Sequence, residues 1–426
     1  MKREELYYVL FEQQKDFEIS KEVVGRELKD KVISLLHLKL PIIITGVRRS
    51  GKSTLMYIIK NNLKLKEKEF LYINFNDERL VNFSLEDFQK IIDFVNEENY
   101  KKNCFLFIDE IQEVEKWEKW IDRIKDKYPI IITGSNSKLL SKEISTTLTG
   151  RSMSTNLYPF SFKEFLNAKK IRTINWNVDL TIQSRIRKEF TEYLYSGGIP
   201  KAIIENDRRL IRENYENILY RDIVKRFNTN IEKSIKEISI YLLSNISNEL
   251  SIRSLSRIVE IKNLSTLKSI LDTFEKSFIF FFVHKFDFSI KKQVQNPRKV
   301  YCVDNGFVSE VGFRFTEDKG KFLENIVFLQ LKRLYNNDIY YFSEKGECDF
   351  ITRKGTKINS AIQVCYDLNN DNKEREINGL MEVLTKFKLD EGMILTFDKE
   401  EEIKIGNKII NVKPVWKWIM LIKQDT

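Results

Sequence analysis

The stretch Leu40-Pro41-Ile42-Ile43-Ile44-Thr45-Gly46-Val47-Arg48-Arg49-Ser50-Gly51-Lys52-Ser53-Thr54 decides the fold. Leu40 to Thr45 is an apolar run that suits a strand buried on both faces. Gly46 to Ser53 then fits the spacing G-x-x-x-x-G-K-[ST], and an amphipathic helical pattern runs from Ser53 to Leu63. A glycine-rich turn between strand and helix offers backbone N–H groups and the positive end of a helix dipole to phosphate. Gly46, Val47, Arg48, Arg49, Ser50, Gly51, Lys52, Ser53 and Thr54 are therefore read as the cradle of a nucleoside triphosphate. Lys52 would reach the β- and γ-phosphates, and the Ser53 hydroxyl would ligate Mg²⁺.

Further apolar runs lie outward at Phe70 to Phe75, Cys104 to Asp109 and Pro129 to Gly134, alternating with helical patterns. This alternation predicts a doubly wound α/β domain. Phe105 to Ile108 leads into Asp109-Glu110. A carboxylate at the end of a buried strand faces the bound metal, which makes Asp109 the second Mg²⁺ partner. Glu110, one residue on, is placed to polarise the attacking water. The next strand ends in Thr133-Gly134-Ser135-Asn136-Ser137, where Ser135 or Asn136 would hold the γ-phosphate or the water. Arg151, in Leu148-Thr149-Gly150-Arg151, has two readings: a surface charge, or an arginine that completes a neighbouring subunit's site. The catalytic candidates are thus Lys52, Glu110, Asn136 and Arg151, with ATP and Mg²⁺ as cofactors.

Composition narrows the alternatives. At 426 residues the chain has room for two or three domains of roughly 150 residues each. Two histidines, His37 and His284, are too few for a histidine-rich metal site or a Ser-His-Asp relay. Cys104, Cys302, Cys348 and Cys365 show no C-x-x-C spacing and read as buried thiols. The densest apolar run, Phe278 to Val283, is far short of a membrane span, and the charged N-terminal stretch has no apolar signal core. The expectation is a cytoplasmic protein with no membrane contact. Net charge is +10, and residues 201–300 hold 19 Lys/Arg against 12 Asp/Glu. That local excess suits a polyanion such as DNA, or a plain solvated surface.

From about Phe160 to Ile290 the pattern turns mostly helical, broken at Gly197-Gly198-Ile199-Pro200. Three helical stretches follow, Ile235 to Ser244, Ile252 to Glu260 and Ser265 to Phe274. With Phe278 to Val283 and Lys299 to Val303 as a β-wing, they outline a winged helix. Its candidate DNA contacts are Arg253, Arg257, Lys262, Lys268, Lys276, Lys285, Lys291 and Lys292. The same fold also serves protein contacts.

The segments ITGVRRSGKST, FLFIDEIQEVEKWE, ITGSNSKLLS, LTGRSMSTNLYPFSFKEFL, YLYSGGIPKAI, LYRDIVKRFN and KVYCVDNGF resemble those of prokaryotic AAA-type P-loop ATPases. These ATPases carry a C-terminal domain of unassigned function. The resemblance implies an AAA-type core, a winged-helix region and a nuclease-like terminal fold. It also places Arg26, in Val24-Gly25-Arg26-Glu27, near the adenine or sugar, unless it is an exposed arginine at a helix start. Arg48 and Arg49 would add charge near the phosphates or touch the next subunit.

The last hundred residues return to α/β. Glu324 on a helix, Asp349 on a strand and Gln363 on the next strand look like the metal-binding set of a restriction-endonuclease-like fold. Cys365 stands where that fold carries a lysine, so the site reads as vestigial unless Lys357 or Lys373 substitutes. The expected architecture is an α/β chain: residues 1–160 an AAA-type P-loop parallel sheet, 161–305 a helical lid and winged helix, 306–426 a degenerate nuclease-like α/β domain. The expected function is Mg²⁺-dependent ATP hydrolysis by a homo-oligomer, coupled to DNA binding or remodelling. The alternatives are a nucleotide-gated switch acting on a protein partner, and an ATP-regulated nuclease.

Overall fold

Ile42–Thr45 (β1) is buried along its whole length, because both faces of its sheet are covered by helices. The computed structural model describes residues 1–18, 22–134, 150–227, 231–313 and 318–422. It divides into two compact units, Met1–Tyr158 and the residues from Pro159 onward.

In the first unit, β1 is joined by Phe70–Asn74 (β2), Phe105–Asp109 (β3), Ile130–Gly134 (β4) and Met153–Asn156 (β5). The strands pair in parallel in the order β2-β3-β4-β1-β5. Arg3–Glu18 (α1), Lys52–Asn62 (α2), Phe88–Glu97 (α3) and Trp117–Ile124 (α4) are its principal helices. Side chains alternate along β1: Ile43 joins one core with Leu6, Phe94 and Trp120, whereas Ile42 and Ile44 join another with Leu55 and Ile59. On α1, Gln14 Oε1 accepts from Tyr72 N at 3.0 Å and Gln13 Oε1 from Asn74 N at 2.9 Å. These two amides occupy backbone donors of β2, the edge strand.

The second unit begins with Phe162–Ala168 (α5), Leu180–Ser196 (α6) and Arg209–Asn217 (α7). Then come Glu232–Ser244 (α8), Glu249–Leu250 (β6), Ile252–Ile258 (α9), Leu264–Lys276 (α10), Phe280–His284 (β7), Ile290–Gln295 (α11) and Arg298–Cys302 (β8). The strands form an antiparallel sheet in the order β6-β8-β7. The short helix α11 lies between β7 and β8, the two strands expected to form the wing.

Asn305–Val311 (α12) and Lys319–Tyr335 (α13) lead into a six-stranded sheet. Ile339–Ser343 (β9), Glu347–Lys354 (β10) and Lys357–Val364 (β11) form an antiparallel meander. Lys373–Lys386 (α14) crosses over to Glu391–Thr396 (β12), which pairs in parallel with β11. Glu401–Ile405 (β13) and Lys408–Pro414 (β14) complete the sheet, and Val415–Leu421 (α15) follows. No helix among the described residues is long and apolar enough to cross a membrane.

The YSGGIP and YCVDNGF segments meet in one buried joint. Asp304 accepts from Gly198 N at 2.7 Å and Gly306 N at 2.8 Å, and Asn305 Nδ2 donates to Leu194 O at 2.8 Å. Gly197 has φ +68, and a Cβ there would lie 1.8 Å from Asp304 Oδ1. The glycine is required for that close approach.

Candidate functional site

Parallel pairing aligns the carboxyl ends of β1, β3 and β4, with β4 lying between the other two. The loop after β1 therefore faces Asp109 and Thr133 across the carboxyl end of the sheet. Gly46 has φ +153, and a Cβ on it would meet Leu157 O at 2.1 Å; Gly51 has φ +94. These are positions only glycine fills without strain. Lys52 opens α2, is 5% exposed, and donates from Nζ to Gly46 O and Val47 O, both at 3.2 Å. Its ammonium stands 3.7 Å from Glu110 Oε1.

Asp109 is 1% exposed. Tyr72 OH donates to its Oδ2 at 2.9 Å, Thr133 Oγ1 donates to its Oδ1, and the Ser53 hydroxyl also hydrogen-bonds to it. Burial and then the neighbouring Glu110 push the Asp109 carboxyl up, against those three donors. Glu110 sits in the left-handed region, φ 51, and its N–H donates to Thr133 Oγ1 at 3.2 Å. Gln112 Nε2 donates to Glu110 Oε2 at 2.6 Å.

The Arg26 guanidinium is directed at main chain: NH1 donates to Ser50 O at 2.6 Å and NH2 to Tyr158 O at 2.7 Å. It is buried and braces the loop, so an exposed helix-start arginine does not describe it. Arg48 and Arg49 are half-buried, and Thr54 is exposed. Arg151 is exposed and pairs with Asp122 Oδ1 at 3.3 Å. Ser135 and Asn136 lie outside the described residues. Tyr72 and Gln112 were missed by sequence reasoning. Tyr72 reads as one more apolar strand residue, but the β2–β3 register, Asn74 beside Asp109, brings it to the acid.

In the second unit, Glu324 on α13 and Asp349 on β10 come together, but around a lysine from β8. Lys299 Nζ lies 2.7 Å from Asp349 Oδ1, 2.7 Å from Glu347 Oε1 and 3.2 Å from Glu324 Oε1. Tyr301 OH donates to Glu324 Oε1 at 2.7 Å. Gln363 does not face the acids' cation: its Oε1 accepts from Asp349 N at 3.0 Å and its Nε2 donates to Glu376 Oε2 at 2.6 Å. Lys373 is paired with Glu401 at 3.0 Å, and Lys357 lies exposed at the start of β11, so neither is the lysine at this cluster. Period-two alternation in Lys299-Val300-Tyr301 carried the missed signal, since it puts the lysine and the phenol on one face. Among the described residues no group of three or more His, Cys, Asp and Glu side chains could hold a metal ion.

Residues 39–166 match the AAA domain family, and residues 187–317 match a domain of unknown function, DUF8612. Over 428 residues the chain is 35% identical to the uncharacterized protein MJ1544 of Methanocaldococcus jannaschii, covering 95% of this chain and 93% of that protein. The chain belongs to the prokaryotic AAA-type P-loop ATPases. The ATPase is also 31% identical over 374 residues to an uncharacterized protein of Haemophilus influenzae, covering 84% of this chain and 90% of the relative. Among solved structures, Cdc6p of Pyrobaculum aerophilum aligns at 14% identity over 63% of this ATPase and 91% of that chain, with a TM-score of 0.28. A likeness that loose settles neither fold nor function.

Proposed function

We propose that this ATPase hydrolyses ATP with Mg²⁺, works as a homo-oligomer, and couples turnover to DNA binding or remodelling. The observation that carries the hydrolytic part is the convergence of Lys52, Asp109 and Glu110 at the carboxyl end of the sheet. The residues fit a triphosphate and its metal. Gly46 and Gly51 keep the loop clear of Cβ atoms, and Ser50 Oγ is buried in it with no hydrogen-bond partner among the described residues. Ser53 and Asp109 supply the hard oxygen donors that Mg²⁺ prefers, and would hold it. Bound there, Mg²⁺ neutralises charge on the phosphate oxygens. Lys52 exchanges the carbonyls of Gly46 and Val47 for phosphate oxygens, and Glu110 orients and polarises the lytic water. Asn136 or Ser135 is kept as the phosphate sensor, and Arg151 as the residue acting in a neighbouring subunit's site.

The order helix, strand, two helices, strand, short helix and strand over residues 232–302, with sheet order β6-β8-β7, supports a winged helix. Arg253, Arg257, Lys262, Lys268, Lys291 and Lys292 on its surface are exposed, and none makes an ion pair among the described residues. Phosphate-dominated DNA affinity is the reading that fits. The α13–β9–β10–β11–α14–β12 order supports a nuclease-like fold for residues 306–426, and we keep the three-domain division at 160 and 305. ATP turnover with and without duplex, single-stranded and branched DNA, at two salt concentrations, tests the coupling. Stimulation that weakens steeply with salt is expected; turnover indifferent to every DNA contradicts it.

A further inference from the structure

We propose that Lys299 is the resident cation of the Glu324–Asp349 acid pair, making the cluster a metal-independent ionic joint between the β6-β8-β7 sheet and the six-stranded sheet. Acids on a helix and a meander strand of a nuclease-like fold imply a divalent metal. The residues present here do not fit one.

The ammonium has three protons, and three carboxylates surround it at 2.7, 2.7 and 3.2 Å. It is 2% exposed. Burial would drive its proton off, yet Asp349 and Glu324 hold its pKa well above the ordinary lysine value. Three carboxylate oxygens that a metal would use are engaged. Asp349 Oδ1 faces Lys299, and its Oδ2 accepts from Val364 N at 2.9 Å. Glu324 Oε1 accepts from both Lys299 and Tyr301. Gln363, the third member of the expected set, spends its carboxamide on Asp349 N and Glu376. Cys365 brings no charge to replace a lysine, since burial pushes its thiol up to about 12.

The ring of partners also explains why the lysine comes from β8. Tyr301, two residues on, shares its face and stacks on Phe328 of α13 with ring centroids 4.3 Å apart. Cys302 N donates to Asn325 Oδ1 at 2.9 Å on that same helix. The strand is thus registered against α13 by packing and main-chain bonds, and the ammonium arrives between the acids as a consequence. Removing a buried cation leaves the buried Glu324 and Asp349 carboxylates uncompensated, and an added divalent ion is then the simplest replacement.

The test is Mn²⁺ titration of the nucleotide-free full-length protein, following free Mn²⁺ by electron paramagnetic resonance. Wild type, D349N, K299M and K299M/D349N are compared. Wild type is expected to take up no Mn²⁺ that D349N removes. K299M is expected to gain a saturable site that K299M/D349N loses. A saturable site in wild type that disappears in D349N overturns the proposal, whether or not K299M folds. A folded K299M with no gain in Mn²⁺ uptake also overturns it. Because no nucleotide is present, neither result bears on ATP hydrolysis.

Discussion

Gln112 Nε2 donates to Glu110 Oε2 across 2.6 Å, so the candidate base is held by an amide two residues further along its own chain. Its other oxygen lies 3.7 Å from Lys52. When Lys52 turns to phosphate, Gln112 remains to orient the carboxylate. Gln112→Ala should lower kcat about tenfold with KM for ATP unchanged, the signature of lost orientation rather than lost binding. Gln112→Glu, close in shape but negative, should not restore the rate. Steady-state kinetics decide it; a rise in KM alone contradicts the role.

Asp304 makes the stability of the second unit depend on pH. Burial lifts its carboxyl to about 7, against the pull of Gly198 N–H, Gly306 N–H and Arg333; Tyr193 and Cys302 are its other titratable neighbours. A carboxyl raised on folding stabilises fully below its unfolded pKa, near 3.8, and loses that contribution as pH rises through about 7. Thermal melting should show wild type losing stability between about pH 4 and pH 7 relative to Asp304→Asn. Equal pH slopes in the two proteins contradict the assignment.

If residues 232–302 grip DNA through phosphates, Arg253→Ala/Arg257→Ala should weaken binding similarly across sequences. Each lost contact lowers the slope of log K against log salt by ~0.9. The double variant should therefore lose up to ~1.8 of slope by fluorescence anisotropy. An unchanged slope removes these two arginines from the interface.

Arg151 pairs with Asp122 in its own chain. Acting in trans, it should allow Arg151→Ala and Glu110→Gln proteins, each inactive alone, to recover part of the ATPase activity on mixing. No recovery in a confirmed mixed assembly contradicts the trans role.

Local patterns explain what could be read from the chain. The loop before Ser53, the Asp109-Glu110 strand end and the three helices near residue 250 follow from runs of adjacent residues, whose periodicity and turn chemistry act at short range. The edge strand β5, Met153–Asn156, reads poorly because Ser154 and Asn156 interrupt its apolar character. Tyr72, Gln112 and Lys299 act through neighbours brought by sheet register or by a turn in the left-handed region. Arg26 shows the same limit from the other side: its segment was legible, but its two main-chain partners, Ser50 and Tyr158, are fixed only by tertiary structure.

The central claim, a triphosphate held by the Lys52 loop and hydrolysed against Glu110, is tested most directly by one calorimetric and kinetic comparison. ATP with Mg²⁺ is titrated into wild type, Lys52→Ala and Glu110→Gln, and turnover is measured on the same samples. Lys52→Ala should lose binding, whereas Glu110→Gln should bind as wild type does while its turnover falls by about 10²-fold or more. Wild-type turnover in both variants, or no heat of ATP binding to the wild type, would contradict it.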